Sequence, residues 1–487
     1  MKQILSFLII LSALFCPQSL TSQHNNIQRY VNRLQSDTLF TDAVVGIMVM
    51  DSKGRTVASW NPDMPLLTAS TMKTISTGIA LKVLGRDFRF STKLGYKGYI
   101  QNGVLYGDLY IIGGADPTLG SRDTLAIPIE ELFKEWREAI TGAGIRRING
   151  SVVADDRFFE HEIVPTGWAW SNLGPSYGSG TSGLSFSENL QYFSFIPGIN
   201  EGDKVTMNNL FPKIPGMEYR VGITTSGKNR GNRTSYYVSD LSKVGYFKGT
   251  ISQSLEPASV TVSNKFPHLS CAAEFRDYLS ENGIYSDPEI VCARERDMDK
   301  YENIFIFHET FSPSITSIVN VTNRISNNFY AETLLKMIGK MVTGSGSYDS
   351  SRVAVVREMS ALGVKTKGFS QNDGSGLSRQ NYVSARFFCN YFRQMENSEI
   401  FDIFFNSLPQ PGGAGTLKSV LSSVKPIDKE RIHAKSGSLA NVRCYAGYVR
   451  RKNGELMTFA ILTNNFSART AQMQVGIEGF MEELIKY

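Results

Sequence analysis

The sequence predicts a mixed α/β protein of α+β character, with helices packed on antiparallel sheet and more than one domain. Three observations predict it. At 487 residues the chain exceeds what one hydrophobic core usually organises. Strand-like alternation around turn dipeptides recurs towards both ends, with amphipathic helical periods between. With 41% hydrophobic and 20% charged residues, the composition is that of a folded globular protein free of low-complexity tracts or repeats. The net charge of +6 is scattered, which argues against a nucleic-acid-binding protein and would suit an anionic polymer.

The N-terminus reads as a secretory signal peptide over residues 1–22. Lys2 precedes the apolar run Ile4 to Phe15, too short to span a bilayer, and Ser19 to Gln23 offer a cleavage site. An uncleaved anchor is the alternative, and Phe15 before Cys16 fits a lipoprotein poorly. The mature chain then keeps Cys271, Cys292, Cys389 and Cys444, for which export permits disulfides but sequence selects no pairing. His24, His161, His268, His308 and His433 are scattered, so no metal and no cofactor is expected.

Next in order, Ala43 to Met50 and Arg55 to Trp60 flank Gly54 and predict a hairpin. Ser70 opens an apolar helix that Gly85 ends. Asn102-Gly103 is a hairpin turn, Gly113 to Leu119 a tight loop, and Ile127 to Gly142 a helix. From about 160 to 255 the chain is rich in Gly, Ser, Asn and aromatics and reads as a loop-rich insertion with short strands. Helices are expected over Ser312 to Arg324, Asn328 to Val342, up to Leu362, and over Ala385 to Glu396. Ile432 to Gly437 forms a strand, Asn453-Gly454 turns a hairpin, and Ala468 to Ile485 closes the chain as a helix.

The chemistry centres on Ser70-Thr71-Met72-Lys73. Residues three apart on a helix are neighbours, so the Lys73 amine can reach the Ser70 hydroxyl and act as its base. S-x-x-K belongs with S-x-N and K-T-G triplets in one group of acylating serine enzymes. The rival Ser422-Ser423-Val424-Lys425 runs into Pro426. The rival Ser187-Glu188-Asn189 falls in the loop-rich insertion, whereas Ser326-Asn327-Asn328 falls between two helices. Lys435-Ser436-Gly437 lies on a strand. In this order Ser70 is the nucleophile, Lys73 the base, and a nearby Lys435 helps to keep Lys73 neutral. Asn328 can bind a substrate amide, and Lys435 with Ser436 a carboxylate or developing anion. Backbone N–H groups of Ser70 and Ser438 can form an oxyanion hole.

The longer words resemble the class C low-molecular-mass penicillin-binding proteins, D-alanyl-D-alanine carboxypeptidases/endopeptidases of the DacB type. They are Ser326-Asn327-Asn328-Phe329-Tyr330-Ala331-Glu332, Asp373 to Arg379, Ala434-Lys435-Ser436-Gly437-Ser438-Leu439, Gly113 to Pro117 and Gly415-Thr416-Leu417. The resemblance implies a transpeptidase/β-lactamase-like domain split over 23–91 and 300–487. A mixed α/β domain over 92–299 interrupts it and carries a smaller β-rich one at about 160–255. It implies an acyl-enzyme on Ser70, proton relay through Ser326, peptidoglycan peptides as substrate and β-lactams as covalent inhibitors. It further implies a substrate-binding strand at Ser436, Gly437 and Ser438, and a pocket for a diaminopimelate side chain lined by Asp155, Arg379, Leu439 and Ala440. Ser436 stands where the family motif has threonine, and Ala440 where a hydroxyl residue is common. Gly174 to Gly183 matches only loosely and receives no role. The expected setting is exported and periplasmic, with peripheral membrane association compatible and oligomeric state open. Two other readings are a β-lactamase or esterase of the same fold, for which no additional carboxylate motif is found, and a non-catalytic wall-binding protein.

Overall fold

The computed structural model describes residues 18–296 and 303–487, so most of the expected signal peptide and the expected domain return at 300 lie outside the described residues. Among these residues, no helix is long and apolar enough to cross a membrane. The first described helix, Gln18–Ser36, already spans the expected end of the signal peptide.

Both ends of the chain meet in one five-stranded antiparallel sheet. Its order is Ile432–Leu439, Val442–Arg450, Leu456–Asn464, Val44–Met50 and Thr56–Trp60. The turns are where expected: Gly54 and Gly454 take φ of 78° and 88°, a left-handed conformation that costs glycine least. Helices cover both faces, and the period-2 alternation of a strand divides the first strand between them. Val45, Ile47 and Val49 pack with Gln18–Ser36 and the closing helix Thr470–Lys486. Met48 and Met50 face the cluster of Ile75, Ile79, Phe388 and Phe392, on the helices Lys73–Leu84 and Ala385–Glu396. Ile315–Arg324 and Asn328–Thr343 complete that layer.

Between these halves the chain builds a second sheet, ordered Ile290–Cys292, Val152–Asp155, Val104–Gly113, Ser91–Gln101 and Phe305–Phe311, with Arg147–Asn149 beside the third. Asn102 and Gly103 sit at φ of 52° and 81°, the pair of left-handed residues a two-residue hairpin needs. Helices Ile129–Gly142 and Pro267–Glu281 bury Phe133, Trp136 and Phe275 against it. Phe305–Phe311 pairs with Ser91–Gln101 throughout, so the chain rejoins the first half only after Phe311, beyond the expected 300.

Two three-stranded sheets are nested in this insertion. They are Ala258–Ser263, Leu190–Ile196 and Thr206–Phe211, and Glu218–Ser226, Ser242–Ser252 and Ser235–Ser239, closed on Phe193, Phe195, Tyr236 and Phe247. Strand pairing carries this unit to Ser263, past the expected 255. The stretch before it, roughly 160–189, turns back towards the first half of the molecule. Cys271, Cys292, Cys389 and Cys444 are all free and buried, so neither Cys271–Cys292 nor any other pairing among them is formed.

Candidate active site

Three separate stretches of chain converge on the start of the helix Lys73–Leu84. Ser70 lies in the 3-10 turn Ala69–Met72 that feeds this helix, which puts its hydroxyl on the same face as the Lys73 amine. Ala69, immediately before it, is held at φ 45°, a left-handed conformation rare for a residue with a Cβ. The Lys73 Nζ is fully buried and lies 3.0 Å from Ser70 Oγ, 2.6 Å from Asn328 Oδ1 and 2.8 Å from the Ser375 carbonyl oxygen. A neutral amine has two N–H groups and one lone pair. With the two N–H groups on Asn328 and Ser375, the lone pair is left facing the serine hydroxyl. Burial lowers the Lys73 amine to about 7 against the opposing charges of Glu332 and Asp373, so a large neutral fraction exists at neutral pH.

The Ser375 carbonyl is aimed by a turn that the helix Asn328–Thr343 anchors. Glu332, one helical turn after Asn328 and fully buried, accepts the backbone N–H groups of Gly374 (2.9 Å) and Ser375 (2.8 Å). Burial and the nearby Asp373 carboxylate raise the Glu332 carboxyl. Asp373 takes two donors on each oxygen: Gly376 N and Asn381 Nδ2 on one, Ser378 N and Trp168 Nε1 on the other. Gly376 has φ 84°, and a Cβ there would lie 1.8 Å from the Ala69 carbonyl oxygen, so only glycine lets this turn close on the nucleophile.

The strand Ile432–Leu439 brings the third stretch. Lys435 is fully buried, and its Nζ donates to the Ser436 carbonyl at 2.9 Å. Burial, then the charges of Lys73 and Arg443, hold its amine well below the ordinary lysine range. Ser436 Oγ donates to Thr416 Oγ1 at 3.1 Å. A Cβ added to Gly437 would lie 2.6 Å from the Thr68 carbonyl oxygen and 2.9 Å from the Ser70 nitrogen, which shows how closely strand and nucleophile turn abut.

A cleft of about 480 Å³ opens over Ser70 and Asn328, walled by Gly376, Leu377 and Arg379 on one side and Ser438, Leu439 and Ala440 on another. Arg379 is exposed and donates to the Ala440 carbonyl at 3.0 Å, which ties these two walls together. Lys435 and Ser326 do not line this cleft. Lys435 is sealed beneath it, and Ser326 is half-buried at φ 63° on the turn before Asn327, whose side chain caps the following helix by accepting from Tyr330 N at 3.1 Å.

Asp155 does not reach the cleft, contrary to the expected side-chain pocket. It ends a central strand of the second sheet, fully buried, and both its oxygens are taken by Arg157 at 2.9 and 2.7 Å. The remaining wall comes from residues the sequence reading left without a role: Ala169, Ser171, Asn172 and Tyr177 of the insertion. The Tyr177 carbonyl accepts from Asn328 Nδ2 at 2.9 Å. Backbone carbonyls such as those of Ser375 and Tyr177 carry no residue identity, so no sequence motif could have named them. Glu332, which closes the word Ser326 to Glu332, is the one acid in the helix Asn328–Thr343, a signal the sequence carries.

A serine hydroxyl facing a desolvated lysine amine, with an open cleft above, is the arrangement of an acylating serine hydrolase. Residues 27–483 match the D-Ala-D-Ala carboxypeptidase 3 (S13) family, and the chain belongs to that family. It is a serine-type D,D-peptidase. The chain is 27% identical to a D-alanyl-D-alanine carboxypeptidase of an Actinomadura species, over 90% of this chain and 80% of that one. It is 24% identical to the D-alanyl-D-alanine carboxypeptidase DacB of Haemophilus influenzae, over 85% of this chain and 84% of that one. The fold is that of the crystal structure of penicillin binding protein 4 (dacB) from Haemophilus influenzae, with a TM-score of 0.82, 22% identity and coverage of 94% of this chain and 99% of that one.

Proposed function

We propose that this peptidase cleaves the D-alanyl-D-alanine bond of peptidoglycan stem peptides through an acyl-enzyme on Ser70, and that penicillins acylate the same serine. The observation that carries the reading is the Lys73 amine, placed 3.0 Å from Ser70 Oγ with its two N–H groups engaged elsewhere. Neutral Lys73 takes the Ser70 proton as Oγ attacks the carbonyl of the penultimate D-alanine. Backbone N–H groups of Ser70 and Ser438 hold the oxyanion. Proton delivery to the departing D-alanine amine is assigned to Ser326, on the turn two residues before the cleft residue Asn328. Water then attacks the ester carbonyl and returns the proton to Ser70. Ser438 on the cleft wall, with Ser436 and Gly437 on the same strand, receives the terminal carboxylate, and Lys435 lies buried beneath them. Arg379, Leu439 and Ala440 meet the stem-peptide side chain, with Asp155 excluded by its pairing to Arg157.

Penicillin acylation of this chain is supported by a relative whose name is penicillin-sensitive carboxypeptidase A, from Dictyostelium discoideum, 22% identical over 86% of this chain. The wall-facing role fits the reading of residues 1–22 as a signal peptide and an exported, periplasmic location. The test is intact-mass analysis of the purified protein after penicillin G, beside Ser70→Ala. One penicillin adduct on the native protein and none on the variant is expected. An unmodified, folded native protein would remove Ser70 from the nucleophile's role.

A further inference from the structure

The insertion's loop over the active site is strapped from beneath by one buried lysine. Lys265, which follows the strand Ala258–Ser263, is fully buried, and its Nζ donates to the carbonyls of Gly178 (2.5 Å) and Ser179 (3.3 Å). The same strand end holds the loop at two more points. Ser263 N donates to the Gly174 carbonyl at 2.9 Å, and Ser263 Oγ donates to the Leu173 carbonyl. The next carbonyl back from Gly178 is that of Tyr177, which accepts from Asn328 Nδ2.

A side-chain amide has two faces of opposite character, and its rotation about the last bond exchanges them. The Tyr177 carbonyl can take only the NH2 side of Asn328. It therefore fixes the oxygen side towards Lys73, 2.6 Å from Nζ. Turned over, the amide would present an N–H to the Lys73 lone pair and draw it away from Ser70.

We propose that Lys265 is a positioning residue for the acylation step: through the strap 177–179 it locks the Asn328 amide in the orientation that directs the Lys73 lone pair at Ser70. The nested β-rich unit thereby completes the active site from outside it. This inference rests on the reading of Lys73 as the base. The charges facing Lys73 are Glu332 on its neighbouring helix, Asp373 in the loop and Lys435 on the strand, none of which Lys265 touches. Lys265 itself is brought to about 7 by burial, with the charge of Asp240 opposing, and has N–H groups for both carbonyls in either protonation state.

The experiment measures the rate of penicillin G acylation against pH for the native protein, Lys265→Met and Gly178→Ala. A Cβ at Gly178 would lie 1.6 Å from the Asn172 carbonyl oxygen, so this second variant shifts the strap while leaving Lys265 in place. In each folded variant the plateau rate is expected to fall about tenfold to a hundredfold. The acid limb is expected to move to lower pH, because an N–H turned towards Lys73 favours the neutral amine. Loss of fold stability alone moves no acid limb. Native rates and an unshifted limb in the folded variants would overturn the proposal, as would a response of Gly178→Ala without one of a folded Lys265→Met. If Lys265→Met does not fold, Lys265→Gln, a shorter side chain that keeps a donor amide, takes its place beside Gly178→Ala and is read by the same two criteria. A native protein that penicillin G does not acylate would instead defeat the proposed function.

Discussion

At the scale of single residues, Lys73 concentrates both the chemistry and its energetic cost. Its amine falls from 10.5 to about 7 because burial disfavours the charged form. Between those values the unfolded chain holds a proton that the folded protein lacks, so the Lys73 contribution to stability rises with pH across that window. Below about 7 the amine is charged in both states, and its desolvation weighs fully against folding. Lys73→Met is accordingly expected to slow acylation by about 10²- to 10⁴-fold without lowering the midpoint of thermal unfolding at neutral pH. Stopped acylation kinetics beside a melting curve check both halves, and a variant that melts well below the native protein contradicts the cost assigned to Lys73. The native acylation rate should likewise fall as pH drops through about 7. The nearness of Ser70 and Lys73 was legible in the sequence because a three-residue offset on a helix is local. The placing of Asp155 was not, since a carboxylate in a motif word says nothing of an arginine two residues on that closes over both its oxygens.

Elements set the tolerances of the site. The strand Ile432–Leu439 meets the turn Ala69–Met72 at a distance that no Cβ allows at Gly437. Gly437→Ala must separate strand and turn, and should cost about 1–3 kcal/mol of stability. Acylation should fall further than stability, because the displaced Ser70 nitrogen is a proposed oxyanion donor. Urea unfolding with penicillin G acylation measured on the folded variant tests this, and full activity would show that the approach has slack. Most elements were readable from pattern: the three glycine-bearing hairpins, the helix ended by Gly85 and the closing helix all fall within a few residues of expectation. The short helix Phe401–Ser407 was not foreseen, being two turns long and too brief for a periodic signal. The edge strand Phe305–Phe311 was assigned to the wrong side of the domain return, because its partner Ser91–Gln101 lies far away in sequence.

For the whole molecule, the question is how a protein made of a split half and an insertion keeps one site in register. Trp168 joins them: its indole N–H donates to Asp373 Oδ2 at 2.8 Å, and the following residues Ala169, Ser171 and Asn172 wall the cleft. Ser378 Oγ donates to the Gly167 carbonyl at 3.0 Å beside it, and Thr181 meets Thr333 at 2.7 Å further along. Trp168→Phe keeps most of the packing and removes one donor from a buried carboxylate, at an expected cost of about 1–3 kcal/mol. Acylation should slow in step, because the same indole positions the cleft wall. Stability lost with acylation unchanged would limit Trp168 to a fastening role. The loop-rich, aromatic-rich tract was visible in composition, and its short strands form the two three-stranded sheets. That this tract doubles back over the active site was hidden, because the contacts join residues that lie 151 to 211 positions apart.

The four unpaired thiols carry a consequence for the protein's biogenesis. Cys271 and Cys292 lie in the insertion and Cys389 and Cys444 in the first half, each within packed interior, where burial holds every thiol above its ordinary range. The reactive form is the thiolate, so in the folded protein these four thiols are shielded from oxidants. An unfolded chain has no such shelter. If the chain matures in an oxidising compartment, as proposed, maturation is a race between collapse of the interior and oxidation, won once and not run again.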